Sequence, residues 1–358
     1  MAITYQAGRR IQGTSTDFGT NGAGIPAVSG GWKELTRVTL GSTSTTMTTP
    51  TFTNKRYYKV LVHGIQSSGS IETGLGLNGL ISGNPYASRL SVDGGIERTG
   101  INANYIADGW FSDPNEYISE INIANLAGKE KLIIGHTGGA NTAGAGTAPK
   151  RMEWVGKFVP IPDVDVSSIL ITGSGTFAVG SEIVVLGWDP EDPHTTNFWT
   201  ELYSDSQTGQ STDNIDTGTF TNKKYLWVQL WCKGTANTTV KMTFNNSTDS
   251  TYAYRYSNDG NSGSADPTPA TSSSNIVLHN TKANDDKFIN MFIVNDGTNE
   301  ILGIGHTVEG NSDGSGIAPQ RRETVFKRST ATAITDIEFD NDDTGNFTDW
   351  ELKVWGSN

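Results

Sequence analysis

"TFTNKRYYKVLV" runs from Thr51 to Val62, and "TFTNKKYLWVQL" runs from Thr219 to Leu230. The second copy begins 219 − 51 = 168 residues after the first, nearly half of the 358-residue chain. Each copy opens on a polar turn and runs into alternating aromatic and β-branched residues, the pattern of a half-buried strand. One strand-forming segment written twice predicts one β-domain built twice.

The rest of the chain extends the repeat. "WKEL" at Trp32 returns as "WTEL" at Trp199, "YASRLSVDG" at Tyr86 as "YAYRYSNDG" at Tyr252, and "INIANLAGKEKLIIGHT" at Ile121 as "MFIVNDGTNEILGIGHT" at Met291. "GTAPKR" at Gly146 returns as "GIAPQR" at Gly316, and "EIVVLGW" at Glu182 as "ELKVWG" at Glu351. The offset stays between 166 and 170 residues with the order of blocks unchanged, so small loop insertions account for the drift. The expected organisation is an extended N-terminal arm over 1–31, a first unit over 32–188, a linker over 189–198 and a second unit over 199–358. A period this long is too great for a solenoid or propeller blade, so each unit is a domain-sized object.

Within the first unit, strands are expected at 34–40, 56–64, 86–92, 120–124, 131–137, 151–159, 167–173 and 182–188, with counterparts in the second. No segment repeats apolar residues at helical spacing over three turns. Eight short strands per unit with long polar loops predict an all-β chain of two tandem antiparallel β-sandwiches of jelly-roll type; an immunoglobulin-like or lectin-type sandwich is the alternative. Trp32 with Trp199, and Trp188 with Trp355, stand in the first and last strands of the units and are expected to be largely buried core or seam residues at equivalent positions.

Composition narrows the partners. The net charge of −12 and pI near 4.9 offer no electrostatic reason to bind nucleic acid or an anionic membrane. Cys232 is the single cysteine, which excludes an intrachain disulfide. No stretch reaches the roughly 18 apolar residues of a membrane helix, and residues 1–31 hold no apolar core of signal-peptide length, so production in the cytoplasm without a Sec signal is expected.

Signs of chemistry are few. His136 and His306 recur in "GHT", each inside a strand pattern and far from other ligand types, and read as structural histidines bonded to a loop. "DNDDTGNFTDWE", Asp340 to Glu351, nearly fits a twelve-residue calcium loop, but strands flank it and the first unit lacks the acidic positions, so no metal is expected there. The "DPEDPH" cluster at 189–194 falls in the linker. No nucleophile elbow, Walker loop, zinc-protease or dinucleotide motif is present, and no catalytic residue or cofactor is expected.

The arm is slightly basic in an acidic protein. Tyr5, Arg9, Arg10 and Ile11 of "YQAGRRIQG" are the candidate assembly residues: an extended arm can add to a neighbour's sheet edge, and the arginines can pair with carboxylates. With this arm, two consecutive jelly-roll-like units, no disulfide and Gly/Ser/Thr/Asn-rich loops, the chain resembles tandem (double) jelly-roll structural proteins of phage and archaeal virions, of capsid, decoration or fibre type. The resemblance implies a non-enzymatic virion protein that assembles in the host cytoplasm with copies of itself, as trimers, and with other virion proteins. The alternative is a carbohydrate-binding adhesin or receptor-binding protein contacting host surface glycans, for which Trp110 and Phe111, read as lying in a loop, are the candidate contacts.

Overall fold

In the first repeat, twelve strands form: β1 (Lys33–Thr39), β2 (Ser44–Thr48), β3 (Tyr57–Ser68), β4 (Ile71–Leu77), β5 (Tyr86–Val92), β6 (Arg98–Ala103), β7 (Ile106–Phe111), β8 (Glu116–Ala124), β9 (Lys131–Gly139), β10 (Lys150–Phe158), β11 (Ile169–Phe177) and β12 (Glu182–Trp188). The second repeat supplies twelve more: β13 (Thr200–Gln207), β14 (Asn214–Asp216), β15 (Tyr225–Gly234), β16 (Val240–Phe244), β17 (Tyr252–Asn258), β18 (Ala270–Ser273), β19 (Ile276–His279), β20 (Lys287–Val294), β21 (Ile301–Glu309), β22 (Gln320–Arg328), β23 (Ile337–Asn341) and β24 (Phe347–Ser357). This computed structural model describes residues 31–68, 71–111, 116–160, 164–189, 197–235, 239–258, 269–279, 286–310, 319–341 and 345–358, and no helix occurs among them. The arm residues Tyr5, Arg9, Arg10 and Ile11 and most of the linker lie outside the described residues.

The pairing pattern identifies the sandwich. In the first unit β1 pairs with β12, β2 with β11, β3 with β8 and β4 with β7, all antiparallel. First-with-last nesting of this kind folds a long hairpin back on itself, an arrangement consistent with a β-sandwich. The sheets then run β1-β12-β3-β8 and β2-β11-β4-β7, and β9, β10, β5 and β6 extend the first sheet beyond β8. The second unit repeats these pairings, with β13-β24-β15-β20-β21-β22-β17-β18 facing β14-β23-β16-β19; the short β3–β11 pairing that joins the two sheets of the first unit has no counterpart there among the described residues. Among the described residues each unit therefore has twelve strands, where the sequence pattern led us to expect eight. The four unexpected strands are β2, β4, β6 and β7 and, in the second unit, their counterparts β14, β16, β18 and β19. Several are short or broken by Gly, Ser, Thr and Asn, as in "RTGINA", "ATSS" and "IETGLGL", and show weak period-2 alternation.

Alternation fills two separate cores. Tyr58, Val60, Val62 and Ile121 point into the first sandwich, and their counterparts Leu226, Val228, Leu230 and Met291 point into the second. Duplicated side-chain clamps hold the loops in both. Asn125 donates to the Lys55 carbonyl (2.9 Å) and accepts from Val166 N (2.9 Å). Asn295 does the same with Lys223 O (3.0 Å) and Ile334 N (2.5 Å). Asn78 and Asn245 adopt left-handed φ of 56° and 54°, a conformation Asn tolerates, and each accepts from the backbone of the segment leading into β11 or β23.

Trp188 and Trp355 correct the expectation set for them. Trp355 pairs with Trp227, whose repeat counterpart is Lys59, and Lys59 pairs with Leu186. Leu186 is thus the counterpart of Trp355, and Trp188 corresponds to Ser357. Both indoles are half-buried, because their strand positions point out of the sandwich core.

Candidate functional site: the seam between the two units

The outward faces of the two large sheets meet each other. Along β12, "EIVVLGW", Ile183 and Val185 enter the first core, whereas Val184 and Leu186 join Leu61 and Ile118 in a third apolar cluster shared with the second unit. From the other side come Tyr225, Phe292, Val294, Leu302, Ile304 and Val325. Both faces of the strand are covered, which is why it reads as an unbroken apolar run.

Repeat positions show how the faces sit. His136 and His306, from the same position of the two repeats, stand ring to ring at 4.6 Å. On one side of this pair the seam is closed. A Cβ added at Gly138 would sit 2.5 Å from Val325 and 3.1 Å from Ile304, so a side chain at 138 would push the sheets apart. Polar ties cross here too. Tyr225 OH donates to Glu182 Oε1 (2.6 Å), with Lys224 Nζ at 3.0 Å from the same oxygen, while Thr39 Oγ1 donates to Glu182 Oε2 (2.5 Å). Burial alone would raise the Glu182 carboxyl; the Thr39 and Tyr225 hydroxyls and the Lys224 ammonium outweigh it and hold it below the usual range. Arg255 Nε donates to Pro149 O (2.9 Å) and lies 3.3 Å from Asp93, and the buried Lys327 Nζ donates to Ala140 O (2.7 Å).

On the other side of the histidines the faces diverge into a cleft, two contiguous cavities of about 680 and 830 Å³. Glu120, Asn122, Asn290, His306, Arg321 and Glu323 line both. Lys59 ion-pairs with Glu120 and places its Nζ 4.5 Å from the Phe292 ring centre. Trp227 stacks between Trp355 (4.6 Å) and Phe292 (5.8 Å). Arg151 pairs with Glu153 and lies 3.8 Å from Glu323, and Arg321 lies 2.9 Å from Glu323. His136 is buried, and neither ring nitrogen makes a hydrogen bond. Burial, with His306 and Arg151 nearby, drives its pKa well below the ordinary value, so the ring is neutral. The duplicated histidines therefore pack against each other across the seam, and His136 is not tied to a loop by hydrogen bonds.

Trp110 and Phe111 end strand β7, opposite Glu72 and Ile71, where a loop was expected. That strand belongs to the small sheet, away from the seam. In the calcium-like stretch, Asp340 lies on β23 and Glu351 on β24, strands of different sheets, while Asp342 and Thr344 fall outside the described residues. Among the described residues no cluster of three His, Cys, Asp or Glu side chains is placed to hold a metal ion. Sequence reasoning missed the seam residues Glu182, Lys59 and Glu120. The available signal was the set of outward positions where the copies differ, Lys59 against Trp227, Glu120 against Asn290 and Asn122 against Phe292.

No family model matches the chain, and no curated protein matches it. Among solved structures, human GIVD cytosolic phospholipase A2 aligns with 8% identity over 85% of this chain, and the chain spans about a third (33%) of that protein's length. The TM-score of that alignment is 0.11, too low to bear on fold or function.

Proposed function

We propose that the chain is a non-enzymatic structural protein of a virus particle, a capsid or capsid-surface component that assembles with copies of itself. The observation that carries this reading is the seam: one chain already joins two copies of one β-sandwich unit through an apolar, ion-paired sheet face. A folding unit that associates with its own duplicate is a building block, and duplication lets one chain present two quasi-equivalent surfaces to a symmetric assembly. The arm, with Arg9 and Arg10 entering an acidic partner, would add a second connection between subunits.

Sedimentation of the purified full chain over a wide concentration range, with negative-stain imaging of the heaviest species, tests the reading. A defined oligomer or closed particle is expected, and removal of residues 1–31 should shift the distribution toward smaller species. A chain that remains monomeric at its highest soluble concentration counts against it.

A further inference from the structure

The two repeats place matching rows of polar side chains on their outward sheet faces. On the first unit Glu120, His136 and Glu153 stand directly opposite one another across β8, β9 and β10. On the second unit Asn290, His306 and Glu323 do the same across β20, β21 and β22. Directly opposed residues of neighbouring strands share one face of a sheet. Because His136 and His306 touch, the two rows converge, and all six side chains line the cleft between the units. Exposed apolar side chains flank the rows: Phe288 and Val308 in the smaller cavity, Ile134 and Val155 in the larger. At about 680 and 830 Å³ each cavity is the size of a ligand pocket, roughly 300–1,000 Å³.

The protein holds these rows in place without using all of their polar edges. Glu120 takes the Lys59 ammonium and the Asn122 amide (3.1 Å) on Oε1, while its Oε2 accepts from none of the described residues. Asn290 accepts on Oδ1 from Trp227 Nε1 (2.7 Å) and Gln229 Nε2 (3.1 Å), which fixes the orientation of its amide; its Nδ2 donates to none of the described residues. His136 is 4% exposed, and neither ring nitrogen makes a hydrogen bond. A neutral imidazole carries one donor and one acceptor, and leaving such groups buried and unpaired costs more than an ordinary hydrogen bond contributes. An acceptor, an amide donor and an imidazole therefore converge on the cleft with their pairing incomplete.

We infer that the cleft binds a neutral oligosaccharide, with Glu120, His136 and Asn290 hydrogen-bonding its hydroxyls and the flanking apolar side chains packing on the C–H faces of its rings. A hydroxyl both donates and accepts, so it can meet a carboxylate oxygen, an amide N–H and an imidazole alike. Charge selects a neutral ligand. Lys59, Arg151 and Arg321 are ion-paired with Glu120, Glu153 and Glu323 respectively, so an anion would have to displace a carboxylate and a cation would have to displace a Lys or Arg. A peptide strand has nothing to pair with, because β8, β9, β10, β20, β21 and β22 each have a strand on both sides and their backbones are already engaged. The inference goes beyond the assembly reading and does not depend on it.

Calorimetric titration of the full chain with cellopentaose, maltopentaose, xylopentaose and chitopentaose tests the site. Tryptophan fluorescence gives a second readout, because Trp32 and Trp227 line the smaller cavity. Saturable binding of at least one of the four is expected, with a Kd below about 1 mM. Asn290→Ala removes a donor, and Val308→Trp fills the cleft from an exposed position; each should weaken binding by more than about tenfold, with melting temperature as the control for folding. If Asn290→Ala fails to fold, Val308→Trp, which removes no hydrogen bond, carries the comparison. Trp110→Ala, on the small sheet, should bind as the wild type does. Absence of binding to all four sugars at about ten times that Kd overturns the inference, and so do folded cleft variants that bind as tightly as the wild type. Binding of a sulfated heparin oligosaccharide in place of the neutral sugars overturns it as well. None of these outcomes bears on self-assembly, which sedimentation reads separately.

Discussion

Asp108 sits on β7 with no exposed surface. Burial pushes its carboxyl from 3.8 up to about 7; Thr73 offsets a little of this, although neither carboxyl oxygen makes a well-formed hydrogen bond. The folded chain therefore holds this proton where the unfolded chain releases it. Below pH 3.8 both states are protonated and the residue is neutral to stability; between 3.8 and about 7 its cost grows with pH, and above that it is fully present. The gap corresponds to at most about 4 kcal/mol. Asp108→Asn, nearly isosteric, should raise the melting temperature at pH 8 by several degrees and leave it nearly unchanged at pH 3.5. Equal shifts at the two pH values would show that the effect is packing rather than ionisation. Gly135 is a second residue set by its surroundings: an added Cβ would sit 2.0 Å from the buried Trp154 ring. Gly135→Ala should destabilise by about 1–3 kcal/mol in denaturant titration, because neither the strand nor the indole, which donates to Thr137 Oγ1 at 3.2 Å, has room to yield.

Strands β9 and β21 occupy one position of the fold and differ in what covers them. Ile304 on β21 is 1% exposed and Ile134 on β9 is 62% exposed. Truncating the first to Ala should cost about 2–5 kcal/mol by leaving a cavity in the seam. Truncating the second should change the stability of a dilute chain by less than about 0.5 kcal/mol. Chemical denaturation of both variants at low protein concentration checks the contrast, and similar losses would mean the two strands share one environment. That contrast also marks how far the sequence could be read. Strands such as β3, β8 and β12 announce themselves because one of their faces always lies in a sandwich core, and the repeat doubled that signal. The polar strands β2, β6, β14 and β18 give little periodicity, since pairing with a neighbour rather than side-chain burial holds them in place. The seam was hidden for a different reason. Lys59, Glu120 and Asn122 read as the wetted face of a half-buried sheet, and nothing local says that this face meets a second copy of the domain. The duplicated histidines pointed to the right place but suggested the wrong partner, because the contact joins residues 170 positions apart in the chain.

At the scale of the whole molecule, the seam makes two domains one thermodynamic unit. A second unit alone would expose Tyr225, Phe292, Leu302, Ile304 and Val325 together, a patch too apolar for a stable free surface. The full chain should accordingly unfold in a single calorimetric transition at neutral pH, with coincident loss of both cores. Glu182 is the point at which that coupling can be loosened. Its carboxylate, held by Thr39, Tyr225 and Lys224, has a folded pKa below its ordinary 4.5. A depressed carboxyl contributes stability that is present above pH 4.5 and is lost as pH falls through the folded value. Glu182→Gln keeps the shape but removes the charge opposite Lys224. It should lower the melting temperature at pH 7 and broaden or split the transition, as the two sandwiches begin to separate before either unfolds. Once pH falls below that depressed folded value the wild-type residue also loses its charge, so the difference between variant and wild type should shrink at strongly acid pH. Scanning calorimetry at the two pH values reads both effects. A variant that melts like the wild type at pH 7 would mean that the apolar cluster alone couples the units, and that the ion-paired edge adds register without adding cohesion.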